Sequence, residues 1–277
     1  MMFMALLTKE LRLRLRSERT MWGLVSYVVM IGLLGWFIYY SAIQGGFSPD
    51  SFGSSLYSWL IGIQFFLIFC TTPAYTSTAI NGEKQRQTFD LLVCSQLSAF
   101  SLAAGKLVAG VINAFLLIAA VLPIFSLVFL FGGVSPIQFL ETLLVFVVSA
   151  LLIGTIGLFF SALLKSPILS TTLTYFTCLV WVVLPYFLLL FWSFAMRTSM
   201  TETTKFVYLW NPISALASVV VPGIITVWSI PAWLSYTVLS LCLSSFFFAL
   251  TVLIVKPMDR RQAHTKRKVN KNVVSAA

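Results

Sequence analysis

Side chains that catalyse reactions are few in this chain and widely scattered. The only histidine is His264, so catalytic triads and proton relays built on histidine are excluded. Of the eight acidic residues, only Glu141 falls inside a long apolar run, and it lies near one end of that run. Proton-coupled and ion-coupled transporters usually keep ionisable residues at mid-membrane, so this pattern argues against a proton antiporter or a cation pump. The sequence therefore predicts no catalytic residue.

Metal and nucleotide sites are not indicated either. The four cysteines have no spacing typical of a metal site or of a disulfide framework. The Gly105–Lys106 pair lacks the upstream glycine and the following Ser or Thr of a phosphate-binding loop. We therefore predict that the chain is not an enzyme and holds neither a cofactor nor a metal. Any ATP on which it depends is expected to bind to another chain.

Small polar residues recur inside two of the apolar runs. Thr171, Thr174 and Thr177 are spaced three apart, which places their hydroxyls along one side of a helix. They can line a pathway or serve helix packing, and the residues alone leave both possibilities open. The preceding run carries small residues that permit close contact between helices. These are Ser149, Gly154, Gly157 and Ser161.

The elements that must position these residues are long apolar helices. Of the 277 residues, 59% are hydrophobic and 9% are charged, whereas about 25% are charged in a soluble domain. The chain also contains long uncharged runs, and apolar runs of about 18 or more residues are typical of membrane helices. We predict an all-α polytopic membrane protein with six transmembrane helices. They are expected at about 22–43, 56–80, 107–131, 138–164, 167–194 and 232–255.

The distribution of basic residues predicts the orientation of these spans. Of the 18 Lys and Arg residues, all but Arg197 and Lys205 fall on one side of the predicted topology. The positive-inside rule therefore puts both termini in the cytoplasm. The net charge of +10 follows from this asymmetry and requires no nucleic acid. The basic segment 256–277 can also attract anionic lipid, or it can be a solvated cytoplasmic tail.

Two segments flank or interrupt the predicted transmembrane domain, 21–255. Residues 1–20 place apolar and basic residues on opposite sides of a helix, which predicts an amphipathic elbow helix on the inner membrane surface. A plain basic leader is the alternative. Residues 206–230 are uncharged but are interrupted by prolines and a glycine. They are expected to form a broken outer helical segment before the last span.

The loop 81–106, between the second and third spans, begins NGEKQRQTFDLL. Thr88 suits the N-cap of a helix that has Phe89 and Leu92 on one face and Asp90 in its first turn. Ser98 suits the cap of a second helix that leads into the third span. Such a loop can offer a partner a rigid contact, or it can be a connector against the lipid headgroups.

The run from Glu83 to Leu92 resembles the loop after the second span of type-2 ATP-binding-cassette (ABC) exporter permeases. That family typically shows Glu, a basic residue, Glu, any residue, Gly, Thr, an apolar residue, an acid and two leucines, followed by Ser/Thr–Pro. This chain has Gln85, Gln87 and Gln96 where the family has Glu, Gly and Pro. The layout is also similar, with an elbow helix, six spans and a broken outer segment before the last span.

The resemblance implies the membrane subunit of a half-transporter in the plasma membrane of a bacterium or archaeon. Such permeases pair with a second copy or a sister permease within the lipid bilayer, and each docks a cytosolic ATPase subunit that binds ATP and magnesium. The helix after the second span would be the coupling helix, with Phe89 and Leu92 as apolar anchors. The residues implied at the ATPase contact are Glu83, Arg86, Thr88, Phe89, Asp90, Leu91 and Leu92.

Two other classes of function fit the same sequence. A non-transporting membrane scaffold would anchor a cytosolic enzyme, and charge reversal at Asp90 would then leave the turnover of that enzyme unchanged. An ATP-independent facilitator would show flux without ATP and without a copurifying subunit. For a transporter, the uncharged spans favour lipid-linked, peptidic or other amphipathic cargo over small ions.

Overall fold

A computed structural model of the chain describes residues 18–45, 49–85, 99–132, 134–196, 206–223, 226–227 and 230–276. Within these ranges the chain is almost entirely helical. The α-helices are α1 (Glu18–Gly45), α2 (Pro49–Thr76), α3 (Asn81–Gln85), α4 (Ala99–Phe131), α5 (Pro136–Leu163), α6 (Pro167–Met196), α7 (Pro212–Val220) and α8 (Ala232–Ala276). A 3-10 helix, Phe206–Trp210, precedes α7. A short antiparallel pair of strands, β1 (Thr226–Val227) and β2 (Ile230–Pro231), precedes α8.

Five helical stretches among the described residues are long and apolar enough to cross a membrane, and the chain is thus compatible with a multi-pass membrane protein. The first helix contributes only a shorter apolar stretch, Val25–Phe37. The predicted span at 22–43 therefore stays a prediction. The five stretches are Gly53–Gln85, Ala99–Ser126, Pro136–Leu163, Pro167–Trp192 and Ala232–Lys256.

Helix α5 is the centre of the bundle. It begins at a capping box, in which the Ser135 hydroxyl accepts the N–H of Gln138 and the Gln138 side chain accepts the N–H of Ser135. Pro136 occupies the first turn, where its missing N–H costs nothing. Gly132, just before this cap, has a φ of 79°, which favours glycine. From this start α5 packs against α2, α4, α6, α7 and α8.

The main apolar core lies between α2, α4 and α5. Tyr57 of α2 and Phe125 of α4 stack edge to face with ring centroids 5.6 Å apart, and Phe146 of α5 is fully buried beside them. Helix α1 lies at the periphery and contacts α2 and α4. The outward faces remain apolar, since Ile168 and Phe194 of α6 are 81% and 89% exposed. Soluble proteins rarely leave so much apolar surface uncovered, so a lipid environment fits this surface.

Two helices extend beyond the limits of the predicted spans. Helix α4 begins at Ala99, well before residue 107, as expected of a helix that leads from the loop into the third span. Ser98, its predicted cap, lies outside the described residues. The apolar stretch of α8 ends at Lys256, close to the predicted limit of 255, and the helix itself continues through the basic segment to Ala276. Good helix formers such as Arg260, Gln262 and Ala263 follow the apolar part of α8, which favours this continuation.

The segment 206–230 contains two short helices, and also the strand pair, which the sequence analysis did not predict. Helix α7 packs against α2, α5 and α8, with Ala215 and Val219 fully buried. Its backbone is thus covered by protein, as non-spanning backbone near a bilayer requires. The predicted elbow helix, 1–20, lies outside the described residues except for its last three, which begin α1.

Candidate functional site

The junction between α2 and α3, residues 76–81, is where the chain leaves the bundle and enters the loop 81–106. We call it the corner. Helix α2 ends here with the Ser77 N–H donating to the carbonyl of Pro73 at 3.0 Å, and a four-residue turn leads into α3. Thr76, Ser77 and Asn81 are fully buried. The end of a helix leaves backbone groups without partners, so a buried corner must find them in neighbouring elements.

Close packing holds the corner between α4 and α5. The Thr76 side chain lies against Gly110 of α4 and against Gly157 of α5. A Cβ added at either glycine would approach Thr76 more closely than the 3.0 Å that real Cβ atoms respect. Gly154, one turn earlier on α5, lies against Val111 of α4 in the same way. Glycine therefore lets three helix backbones meet at one threonine.

Hydrogen bonds tie the corner to α5. The backbone N–H groups of Ile80 and Asn81 donate to the Ser161 hydroxyl at 2.9 and 3.2 Å. That hydroxyl lies 3.3 Å from the side-chain oxygen of Asn81, to which it can donate. The Asn81 amide nitrogen donates to the carbonyl of Ser166 at 3.4 Å, beyond the end of α5. The corner is thus bonded to the last turn of the central helix.

A second set of hydrogen bonds ties the corner to α6. The hydroxyls of Ser77 and Thr171 are 2.8 Å apart, and the hydroxyl of Ser170 donates to the carbonyl of Ser77 at 2.7 Å. Thr174, one turn further on, is fully buried and donates to the carbonyl of Ser170 within its own helix. Thr177 is partly buried. The Thr171 hydroxyl thus contacts the corner, whereas the bond of Thr174 stays within α6.

Charged residues of α3 face the bundle. Glu83 forms an ion pair with Lys106 of α4, and the side chains of the two residues are 25% and 8% exposed. The Lys84 ammonium group donates to the carbonyl of Ala162 at 3.0 Å, in the last turn of α5. A cation at this position is favoured by the helix dipole. Through these contacts α3 is held against α4 and α5.

The structure describes only one of the residues implied at the ATPase contact. Glu83 lies in α3 and points to Lys106. The other six lie outside the described residues. They are Arg86, Thr88, Phe89, Asp90, Leu91 and Leu92.

A second candidate site is an apolar groove of about 670 Å³ between α2, α6 and α7. Its size is within the range of small-molecule sites. The sequence analysis did not predict it, because it depends on where α7 packs. Asn211 seats α7 there, since its side-chain oxygen accepts the N–H of Ile213 and its amide donates to the carbonyl of Val182 on α6, both at 2.8 Å. The groove is lined among others by Phe65, Phe66, Phe69, Val183, Leu216 and Val220.

The described residues contain no group of three or more His, Cys, Asp and Glu side chains that is placed to hold a metal ion.

Comparison with protein-family models and with curated proteins gives no match to the chain. The corner joins the described start of the loop 81–106 to α4, α5 and α6 by buried contacts.

Proposed function

We propose that the chain is the membrane-spanning subunit of an ATP-driven exporter of the type-2 ABC class, whose ATP is hydrolysed by a separate cytosolic subunit. The resemblance of residues 83–92 to the coupling loop of that class motivates the proposal. The observation that carries it is the corner. The segment that enters this loop is bonded to α4, α5 and α6 at once.

Such a junction suits the transmission of movement. Thr76 is wedged against glycine backbone, and the polar bonds of the corner are buried, so α3 has little freedom to move without α5. Packed interiors respond to a push by shifting as units rather than by deforming. In the part of the chain that the structure describes, α5 packs against α2, α4, α6, α7 and α8, so its displacement would reach most of the bundle. ATP binding in the partner would thereby switch the spans between inward-facing and outward-facing states.

The groove between α2, α6 and α7 gives this proposal a surface for cargo. Among the described residues, those that line the groove carry no charge, and Ser58 provides their one hydroxyl. A groove of this kind suits the apolar part of a lipid-linked, peptidic or other amphipathic cargo better than a small ion.

The proposal includes a dimer, formed with a second copy or with a sister permease, in the plasma membrane of a bacterium or archaeon. The exposed apolar faces of α1 and α6 would lie against lipid or against that second subunit. The unequal distribution of the basic residues supports a cytoplasmic location for both termini and for the loop 81–106. ATP and magnesium would bind to the partner subunit.

The test is recovery of an ATPase with the tagged chain from mild-detergent extracts of its native membranes. Wild type is expected to recover an ATPase, and Phe89→Ala combined with Leu92→Ala is expected to recover less than about a tenth as much, since buried apolar anchors dominate such interfaces. The matched control is Gln87→Ala combined with Gln96→Ala, which changes two loop residues and keeps both anchors. It should recover the ATPase as wild type does.

Two results would contradict the proposal. Folded wild-type protein that recovers no ATPase would favour the facilitator. An ATPase whose turnover is unchanged by Asp90→Lys, while its recovery is unchanged too, would favour the scaffold.

A further inference from the structure

The start of helix α3 is capped by a side chain of α5. The first N–H groups of a helix have no partner within it. Bonds to the preceding turn satisfy the N–H of Gly82, which donates to the carbonyl of Thr78, and the N–H of Lys84, which donates to the carbonyl of Ile80. The N–H groups of Ile80 and Asn81 instead donate to the Ser161 hydroxyl of α5. Ile80 and Asn81 are 1% and 0% exposed, so water has no access to replace this hydroxyl.

Ser161 has its full bonding capacity committed to this cap. A hydroxyl has one hydrogen to donate and two lone pairs to accept. Ser161 accepts from two backbone N–H groups and has the side-chain oxygen of Asn81 within reach as an acceptor. The Asn81 amide closes the arrangement by donating to the Ser166 carbonyl. The cap of α3 is therefore built by residues that lie about eighty positions further along the chain.

We propose that Ser161 is a positioning residue that orders α3 only while α5 occupies its present place. If α5 moves away, two buried N–H groups lose their acceptor and α3 loses its first turn. The coupling between the position of α5 and the helical form of α3 is reciprocal. A partner that stabilises α3 in its helical form therefore also stabilises α5 in its present position. The capping role stands by itself, whereas its consequence for an ATPase partner rests on the proposed function.

The capping role is tested by hydrogen–deuterium exchange of the purified full chain in detergent. Ser161→Ala is expected to raise the exchange rate of amides in the segment 78–85 by roughly tenfold, the order of effect of a lost helix cap. Ser161→Thr keeps a hydroxyl and should stay within about twofold of wild type. Ser166→Ala is the matched control, because only the main-chain oxygen of Ser166 takes part, and it should match wild type.

Exchange in the α5 segment 145–158 reports whether each variant retains the bundle. A folded Ser161→Ala protein whose segment 78–85 exchanges like wild type would overturn the capping role. Should Ser161→Ala fail to fold, Ser161→Cys takes its place. A thiol is a weak acceptor, so a folded Ser161→Cys protein with wild-type exchange would overturn the role equally.

Recovery of the ATPase subunit tests the positioning role. Ser161→Ala should recover several-fold less ATPase per chain than Ser166→Ala does. If Ser161→Ala speeds amide exchange in the segment 78–85 but recovers as much ATPase as Ser166→Ala, the positioning role is refuted and Ser161 is only a structural cap. If wild type recovers no ATPase while exchange responds as expected, the proposed function fails and the cap remains.

Discussion

Replacing Gly157 by alanine tests the packing at the corner most directly. The new Cβ would lie under 3.0 Å from the Thr76 hydroxyl oxygen and 3.2 Å from the backbone nitrogen of Ser77. Rotation of Thr76 does not relieve this contact, because its methyl group is already lodged against Gly110. Its hydroxyl also donates to the carbonyl of Thr72 at 2.9 Å. Relief therefore requires α2 and α5 to separate.

The expected loss follows from two opposing effects. Overpacking of a well-packed core costs about 1–3 kcal/mol, and the upper half of that range applies because one crowded atom is backbone. Replacing glycine by alanine within a helix stabilises the helix by about 1 kcal/mol. Gly157→Ala should therefore lower the free energy of unfolding by about 1–2 kcal/mol. This corresponds to a Tm lower by about 2–4 °C for a chain of 277 residues.

The assay is thermal unfolding in detergent, and Gly62→Ala is the matched control. A Cβ at Gly62 meets no atom within 4 Å, so helix propensity alone should act and the Tm should stay level or rise. Combining Gly157→Ala with Thr76→Ala removes the crowded side chain and should recover part of the loss. If the Gly157→Ala and Gly62→Ala variants have the same Tm, the inference that the corner is closely packed is refuted.

Two further changes probe buried polar groups, and thermal unfolding measures both. Tyr27→Phe should cost about 1–3 kcal/mol, because the fully buried Gln64 oxygen loses the hydroxyl that donates to it. Adding Gln64→Leu should restore most of that loss, and a double variant weaker than the single one would contradict this reasoning. Asn211→Ala should cost about 2 kcal/mol through the lost α7 cap and the lost bond to Val182. Asn211→Ser, which keeps a capping oxygen, should cost about half as much, and equal losses would contradict the role of the cap.

The sequence largely predicted which segments form helices, whereas it predicted only in part where those helices begin and end. The apolar runs predicted the helices of the bundle because burial of apolar groups adds up residue by residue. The start of α4 at Ala99 follows Ser98, the residue predicted to cap it, whereas the continuation of α8 to Ala276 lies in a polar stretch, where composition distinguishes poorly between helix and loop. The strand pair Thr226–Val227 with Ile230–Pro231 was missed because so short a pairing leaves no periodic pattern.

The candidate site was predictable in part. Gly154, Gly157 and Ser161 were expected at close helix contacts, and the structure places all three there. Gly110, on the facing helix, was missed. The groove was missed as well, since its lining comes from three separate elements and its apolar residues look alike to those that face lipid.

The sequence alone determined that this is a helical chain with several apolar stretches of membrane-spanning length, because composition and periodicity act locally. It also restricted the chemistry, since one histidine and few acids remain whatever the fold. Only the tertiary structure decided which small residues meet. That Ser161 caps a helix which begins at Asn81 depends on the relative placement of α2 and α5. Hydrogen bonds between distant segments form only where packing brings donor and acceptor within about 3 Å, and no local pattern encodes that distance.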